Sequence, residues 1–158
     1  MKIGIYSPYL DTLGGGEQYI LSAAECLKQN FEVTIFWNDL SIISKAEARF
    51  SLDLKNVVFA PNIFASKNPF KKFLKTKLFD SFIYVSDGSI PFLFSKNNIV
   101  LFQFPVPWIK PNSPIQKTKF KRINHFICYS EFVKKYIDDK FKTNAVVIPP
   151  AVWIERKK

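Results

Sequence analysis

The sequence predicts an α/β fold, a doubly wound parallel sheet flanked by helices. Three observations predict it. Short apolar runs recur along the 158 residues, several of them almost continuously apolar, as in strands buried on both faces of a parallel sheet. Helical or loop segments alternate with these runs. The stretch Leu10-Asp11-Thr12-Leu13-Gly14-Gly15-Gly16-Glu17 joins the first run to the first helical segment as strand, glycine turn and helix.

The strands are expected at residues 2–7, 32–37, 56–60, 82–86, 99–104, 126–129 and 145–148. The helices are expected at 17–29, 44–50, 69–79, 114–123 and 130–141. In the first, Ile20, Ala23, Ala24 and Leu27 fall at helical spacing. In the third, Pro69 suits the first turn, and Phe70, Phe73, Leu74 and Leu78 fall on one stripe with lysines opposite. That stripe is expected to pack on the sheet. Ser130 is the expected N-cap of the last helix, with Glu131 in its first turn. One domain, 1–150, accounts for these elements, and 151–158 reads as the start of a hinge or tail.

Composition narrows the function. No apolar run reaches the length of a membrane span, and the N-terminus enters a strand directly, so a cytoplasmic protein without a secretory signal is expected. Cys26 and Cys128 lack metal or redox spacing and are expected as two buried, reduced thiols. His125 is the only histidine, which removes multi-histidine metal sites. No Asp-x-Asp pair marks a nucleotide-bound metal, and Asp138-Asp139 falls in a predicted helix and is expected to be solvated. No metal and no cofactor are therefore expected. The net charge of +10 favours an anionic partner or serves solubility. It is concentrated at Lys67, Lys71, Lys72, Lys75 and Lys77, and again at Lys117, Lys119, Lys121 and Arg122.

Right-handed crossovers gather the loops after the strands on one edge, where ligands of such sheets bind. The segments that matter are 7–17, 37–39, 86–89, 103–114 and 129–131. Three consecutive glycines let backbone amides face an anion, with the helix N-terminus behind them. The alternative is a merely flexible turn. A dinucleotide fingerprint fits Gly14 and Gly16, and Asp39 lies at a suitable distance, but Tyr19 occupies the third glycine place, so a nicotinamide cofactor is not expected.

Three stretches together resemble the N-terminal domain of family-4 glycosyltransferases, which have the GT-B architecture. They are Lys2-Ile3-Gly4-Ile5-Tyr6-Ser7-Pro8 with Gly14-Gly15-Gly16-Glu17, the unit from Phe126-Ile127-Cys128-Tyr129-Ser130-Glu131 to Lys135, and Val146-Val147-Ile148-Pro149-Pro150-Ala151-Val152. The resemblance implies a Rossmann-like, acceptor-side domain of a retaining enzyme that moves a sugar from a nucleotide-sugar donor to a glycan or lipid-linked acceptor. It also implies a donor-binding C-terminal domain, supplied beyond residue 158 or by a separate chain, without which the chain is inactive. Donor-phosphate or acceptor contacts are implied for Gly14, Gly15, Gly16, Glu17, Gln103, Pro105 and Ser130. Glu17 either orients a hydroxyl or complements the helix dipole. Gln103 stands where many relatives carry histidine, and either bonds sugar hydroxyls or is solvated at a strand end. Peripheral attachment to the inner face of a membrane is expected through Lys71, Lys72 and Lys75, with Trp108 as a second contact or part of an acceptor lid. A basic α/β module for nucleic acid is the competing class. The aromatics fall in strand runs instead of interleaving with lysines, which makes nucleic acid an unlikely partner.

Overall fold

The computed structural model describes residues 1–66, 68–111 and 113–151. Lys67 and the hinge-like residues 152–158 lie outside the described residues.

Seven strands and five α-helices follow in the order the sequence predicts: β1 (Lys2–Tyr6), α1 (Gly15–Leu27), β2 (Glu32–Phe36), α2 (Ser41–Phe50), β3 (Val58–Ala60), α3 (Pro69–Thr76), β4 (Ser81–Ser86), β5 (Asn97–Phe102), α4 (Pro114–Phe120), β6 (His125–Cys128), α5 (Glu131–Phe141) and β7 (Val146–Val147). A single 3₁₀ turn, Leu10–Thr12, precedes α1. All pairings are parallel and the strand order is β3-β2-β1-β4-β5-β6-β7. This is a Rossmann-like doubly wound sheet. Strand order reverses between β1 and β4, and in open sheets of this kind ligands bind outside the carboxyl ends of the strands at such a point.

Each face of the sheet has its own core. Ile3, Ile5, Val33 and Ile35 meet Ile20, Leu21 and Ala24 of α1 and Ile42 and Ala46 of α2. On the opposite face Tyr6, Phe82, Tyr84, Phe102 and Phe126 meet Val133 and Ile137 of α5. Alternate side chains of one strand thus enter different cores, as the period of two requires.

The boundaries differ from the expected ones for local reasons. Helix α1 starts two residues earlier, because Gly15 and Gly16 form its first turn. Helix α2 starts at Ser41, where Asp39 accepts the Ser41 N–H at 2.9 Å and its hydroxyl at 2.8 Å. Strand β3 starts at Val58 because Asn56 is left-handed (φ 70°) in the turn before it. Strand β5 ends at Phe102, so Gln103 lies just past it.

The orientation of α3 corrects the expected packing. Asn68 caps the helix, its side-chain oxygen accepting from the Phe70 and Lys71 N–H groups. Phe70, Leu74 and Leu78, however, face solvent at 64%, 48% and 66% exposure. Buried in their place is Thr76, whose hydroxyl donates to the Lys72 carbonyl at 2.8 Å and accepts the Phe94 N–H at 3.2 Å. A loop N–H without another acceptor draws the polar position inward, and Phe73 follows, packing edge-on against Phe94 at 4.7 Å. The apolar stripe is thereby turned outward.

Two smaller expectations are corrected as well. Cys128 is buried, but Cys26 is exposed on the outer side of α1. Asp138 is not simply solvated. Its carboxylate accepts from Lys134 Nζ at 2.8 Å, the Thr143 hydroxyl at 2.9 Å and the Ala145 N–H at 2.7 Å. Burial opposes its ionisation, but these donors outweigh it and hold the carboxyl below its ordinary range.

Candidate functional site

The glycine turn is built in a fixed order. Leu13 takes a left-handed conformation (φ 48°), Gly14 is extended, and Gly15 opens α1. Glu17 is buried, and its carboxylate accepts the Gly14 N–H at 2.9 Å and the Thr12 hydroxyl at 2.8 Å. The sequence left two roles open for Glu17. In the structure its carboxylate folds back on the turn, at the positive end of the helix. It positions the loop. The N–H groups of the first helical turn have no intrahelical acceptor and point out of the helix end. A Cβ at Gly15 would meet nothing within 4 Å, so that side of the turn is open.

Gly16 has the opposite surroundings. A Cβ there would stand 2.6 Å from Gln103 Nε2 and 2.8 Å from Gln103 Oε1. The tip after β5 therefore rests directly on the glycine turn. Gln103 Nε2 donates to the Tyr129 hydroxyl at 3.2 Å, and that hydroxyl donates to the Gly16 carbonyl at 3.4 Å. Burial pushes the Tyr129 phenol well above its ordinary range, so it stays a neutral donor. Tyr129 also packs against Tyr19 at 4.4 Å between ring centroids, and the Tyr19 hydroxyl donates to the Ile148 carbonyl at 3.1 Å. The side chain that breaks the dinucleotide pattern thus ties α1 to the chain beyond β7.

Of the other expected contacts, Ser130 caps α5, its hydroxyl accepting the Val133 N–H at 3.3 Å. Pro105 is half-buried in the loop that follows Gln103. That loop is held at two points. Lys140 Nζ donates to the carbonyls of Val106 at 2.9 Å and Pro107 at 2.6 Å. Trp108 rests on Gly88, where a Cβ would fall 1.9 Å from the indole Nε1, and Phe104 lies 6.2 Å from the indole ring. Gly88 has φ +100°, so glycine is required there twice over, by conformation and by contact. Next to it Asp87 accepts the N–H and hydroxyl of Ser89 at 3.0 and 2.8 Å.

The structure therefore brings Gly14, Gly15, Gly16, Glu17 and Gln103 together, with Pro105 following Gln103. It sets Lys71 and Lys75 apart from them, exposed on α3, while the Lys72 ammonium lies 6.0 Å over the Phe64 ring. Tyr129, Gly88 and Lys140 were not singled out in the sequence. Tyr129 and Gly88 nevertheless fall in the segments 129–131 and 86–89 expected at the strand ends, which gave a signal, and Lys140 had none. A groove of about 1010 Å³ starts at Gly15 and runs along Tyr19 and Ser22 of α1, with Arg49 on one side and Pro149 and Pro150 on the other. It includes neither Gln103 nor Ser130. Among the described residues no three His, Cys, Asp or Glu side chains gather as metal ligands, and no helix is long and apolar enough to cross a membrane.

Comparison with protein-family models gives no match, and comparison with curated proteins gives none.

Proposed function

We propose that this chain is the acceptor-side domain of a retaining sugar transferase of GT-B architecture. It works with a donor-binding lobe and moves a sugar from a nucleotide-sugar to a glycan or lipid-linked acceptor. The observation that carries the reading is the contact of Gly16 with Gln103. It joins an open helix N-terminus to a neutral hydrogen-bonding amide at the carboxyl edge of the sheet.

The chemistry of the two parts is complementary. A departing nucleoside diphosphate gathers negative charge, which oriented amides and a helix N-terminus stabilise. The Gln103 amide has donor and acceptor capacity for sugar hydroxyls, and Tyr129 fixes which way it points. Neither part titrates, and Glu17 is engaged with the loop. This side therefore supplies positioning, and proton transfer falls to the donor-binding lobe or to the substrate itself.

Gly15→Asp tests the reading. The open space at Gly15 accepts the side chain, and a carboxylate in the first helical turn favours the helix while repelling an anion. With pyrophosphate as probe, amide chemical shifts of residues 14–17 should move in the natural chain and stay fixed in the variant. Movement confined to residues far from the turn sinks the reading. Nucleotide-sugar turnover by the chain alone should be negligible, and robust turnover would contradict the dependence on a second lobe.

A further inference from the structure

Two helices far apart in sequence form one surface. Phe73 of α3 packs on Phe94, and the Arg122 guanidinium after α4 covers the same ring at 4.5 Å. The Lys119 ammonium of α4 lies 5.5 Å over Phe92. Burial, and after it the Lys72 charge, holds Lys119 below its ordinary range.

The stretch of sequence that carries the two helices holds the excess charge, and Lys71, Lys72, Lys75, Lys77, Lys117, Lys119, Lys121 and Arg122 lie on α3, α4 and the turns after them. Residues 54–130 contain twelve Lys and Arg and only two carboxylates, Asp80 and Asp87. That difference equals the whole net charge of +10, and the rest of the chain is balanced. Asp80 is held by Lys96 at 2.6 Å, and Asp87 sits at the strand ends. Exposed apolar side chains belong to the same two helices and the turn after α3. Phe70, Leu74 and Leu78 follow one another every four residues, flanked by the exposed Lys71, Lys75 and Lys77. Ile115 of α4 is 64% exposed. Phe70 and Leu74 lie on α3, and Leu78 extends their line in the turn that follows it.

We propose that the α3–α4 face is an interfacial docking surface for an anionic lipid bilayer. Phe70, Leu74 and Leu78 enter the headgroup region, and the surrounding lysines lie among the anionic headgroups. A basic helix with an unpartnered apolar ridge lies in the plane of such an interface, drawing on both terms at once. Neither term alone selects the bilayer. A nucleic acid would use the lysines but leave the ridge idle, because leucines offer no stacking plane. A second copy of the chain would cover the ridge but bring two strongly basic faces together. The inference stands apart from the sugar-transfer reading, since it uses none of the strand-end residues.

The test is co-sedimentation of the chain with phosphatidylcholine vesicles, with and without phosphatidylglycerol, at low and high salt. Natural protein should bind the anionic vesicles about tenfold or more above the neutral ones, with binding reduced by salt. The triple variant Phe70→Ser, Leu74→Ser, Leu78→Ser should keep its thermal unfolding transition, because these side chains touch little, and lose about tenfold in vesicle affinity. The pair Lys71→Glu, Lys75→Glu should lose about tenfold on anionic vesicles only. Equal retention on both vesicle types, or none on either, overturns the proposal. So does a serine triple variant that binds like the natural chain. A single-stranded oligonucleotide that displaces the vesicles and binds the triple variant undiminished assigns the face to nucleic acid instead.

Discussion

Helices α1 and α2 on one face of the sheet and α3 and α4 beyond the other obey different rules, although α5, on that second face, buries Val133 and Ile137 as its spacing requires. On one face α1 buries Ile20, Leu21 and Ala24, and α2 buries Ile42 and Ala46, as their spacing requires. Past the other face, α3 buries only Thr76, and α4 has no buried residue. The apolar periodicity of α1 and α3 is equally clear in sequence. The difference lies in what each helix meets. Helix α1 lies on the continuous apolar surface of β1, β2 and the strands beside them. Helix α3 meets a loop N–H, Phe94, that needs an acceptor, and its threonine answers that need. Periodicity fixes that a helix forms, and the partner fixes which side turns inward.

Equal truncations on the two faces break this contrast most directly. Leu21→Ala should cost about 2–5 kcal/mol in chemical denaturation, because the side chain is fully buried. Leu74→Ala should stay within about 0.5 kcal/mol, and a cost near that of Leu21 would mean that the ridge is packed after all. Gly4→Ala sharpens the contrast at the sheet itself. Its Cβ would stand 2.6 Å from the buried Phe82 ring, so a loss of about 1–3 kcal/mol is expected.

The thiols give a smaller effect. Burial pushes Cys128 up from 9.0 to about 11, so the folded state favours the protonated thiol. That contribution is fully present below pH 9 and is lost as pH rises through about 11, with a slope of at most about 1.4 kcal/mol per pH unit. Thermal unfolding temperatures should be level from neutrality to pH 9 and fall above it, less steeply in Cys128→Ala. In native protein an aromatic disulfide reagent should titrate one thiol, Cys26, and in denaturant two.

Much of the fold was legible. The apolar runs gave all seven strands in order, and Ser130 as cap and Pro69 in a first turn mark helix starts that the structure keeps. Strand ends were legible to within a residue or two, since Asn56 and Gln103 reveal their backbone state only once neighbouring loops are in place. Of the site, the glycine turn and Gln103 were visible as residue types, because loops after strands must gather at one edge. Their contact was not visible, since it depends on the parallel register that brings Phe102 beside Cys128 and so sets Tyr129 near Gln103. The outward ridge of α3 was hidden for the reason already given, a single hydrogen bond from a distant loop.

The proline-rich segment after Gln103 is fastened by an ammonium group across two carbonyls and by an indole seated on bare backbone. Such a segment is a standing shelf instead of a flap. An acceptor bound there, as proposed, would find the wall already in place and would cost the protein chain little freedom on arrival.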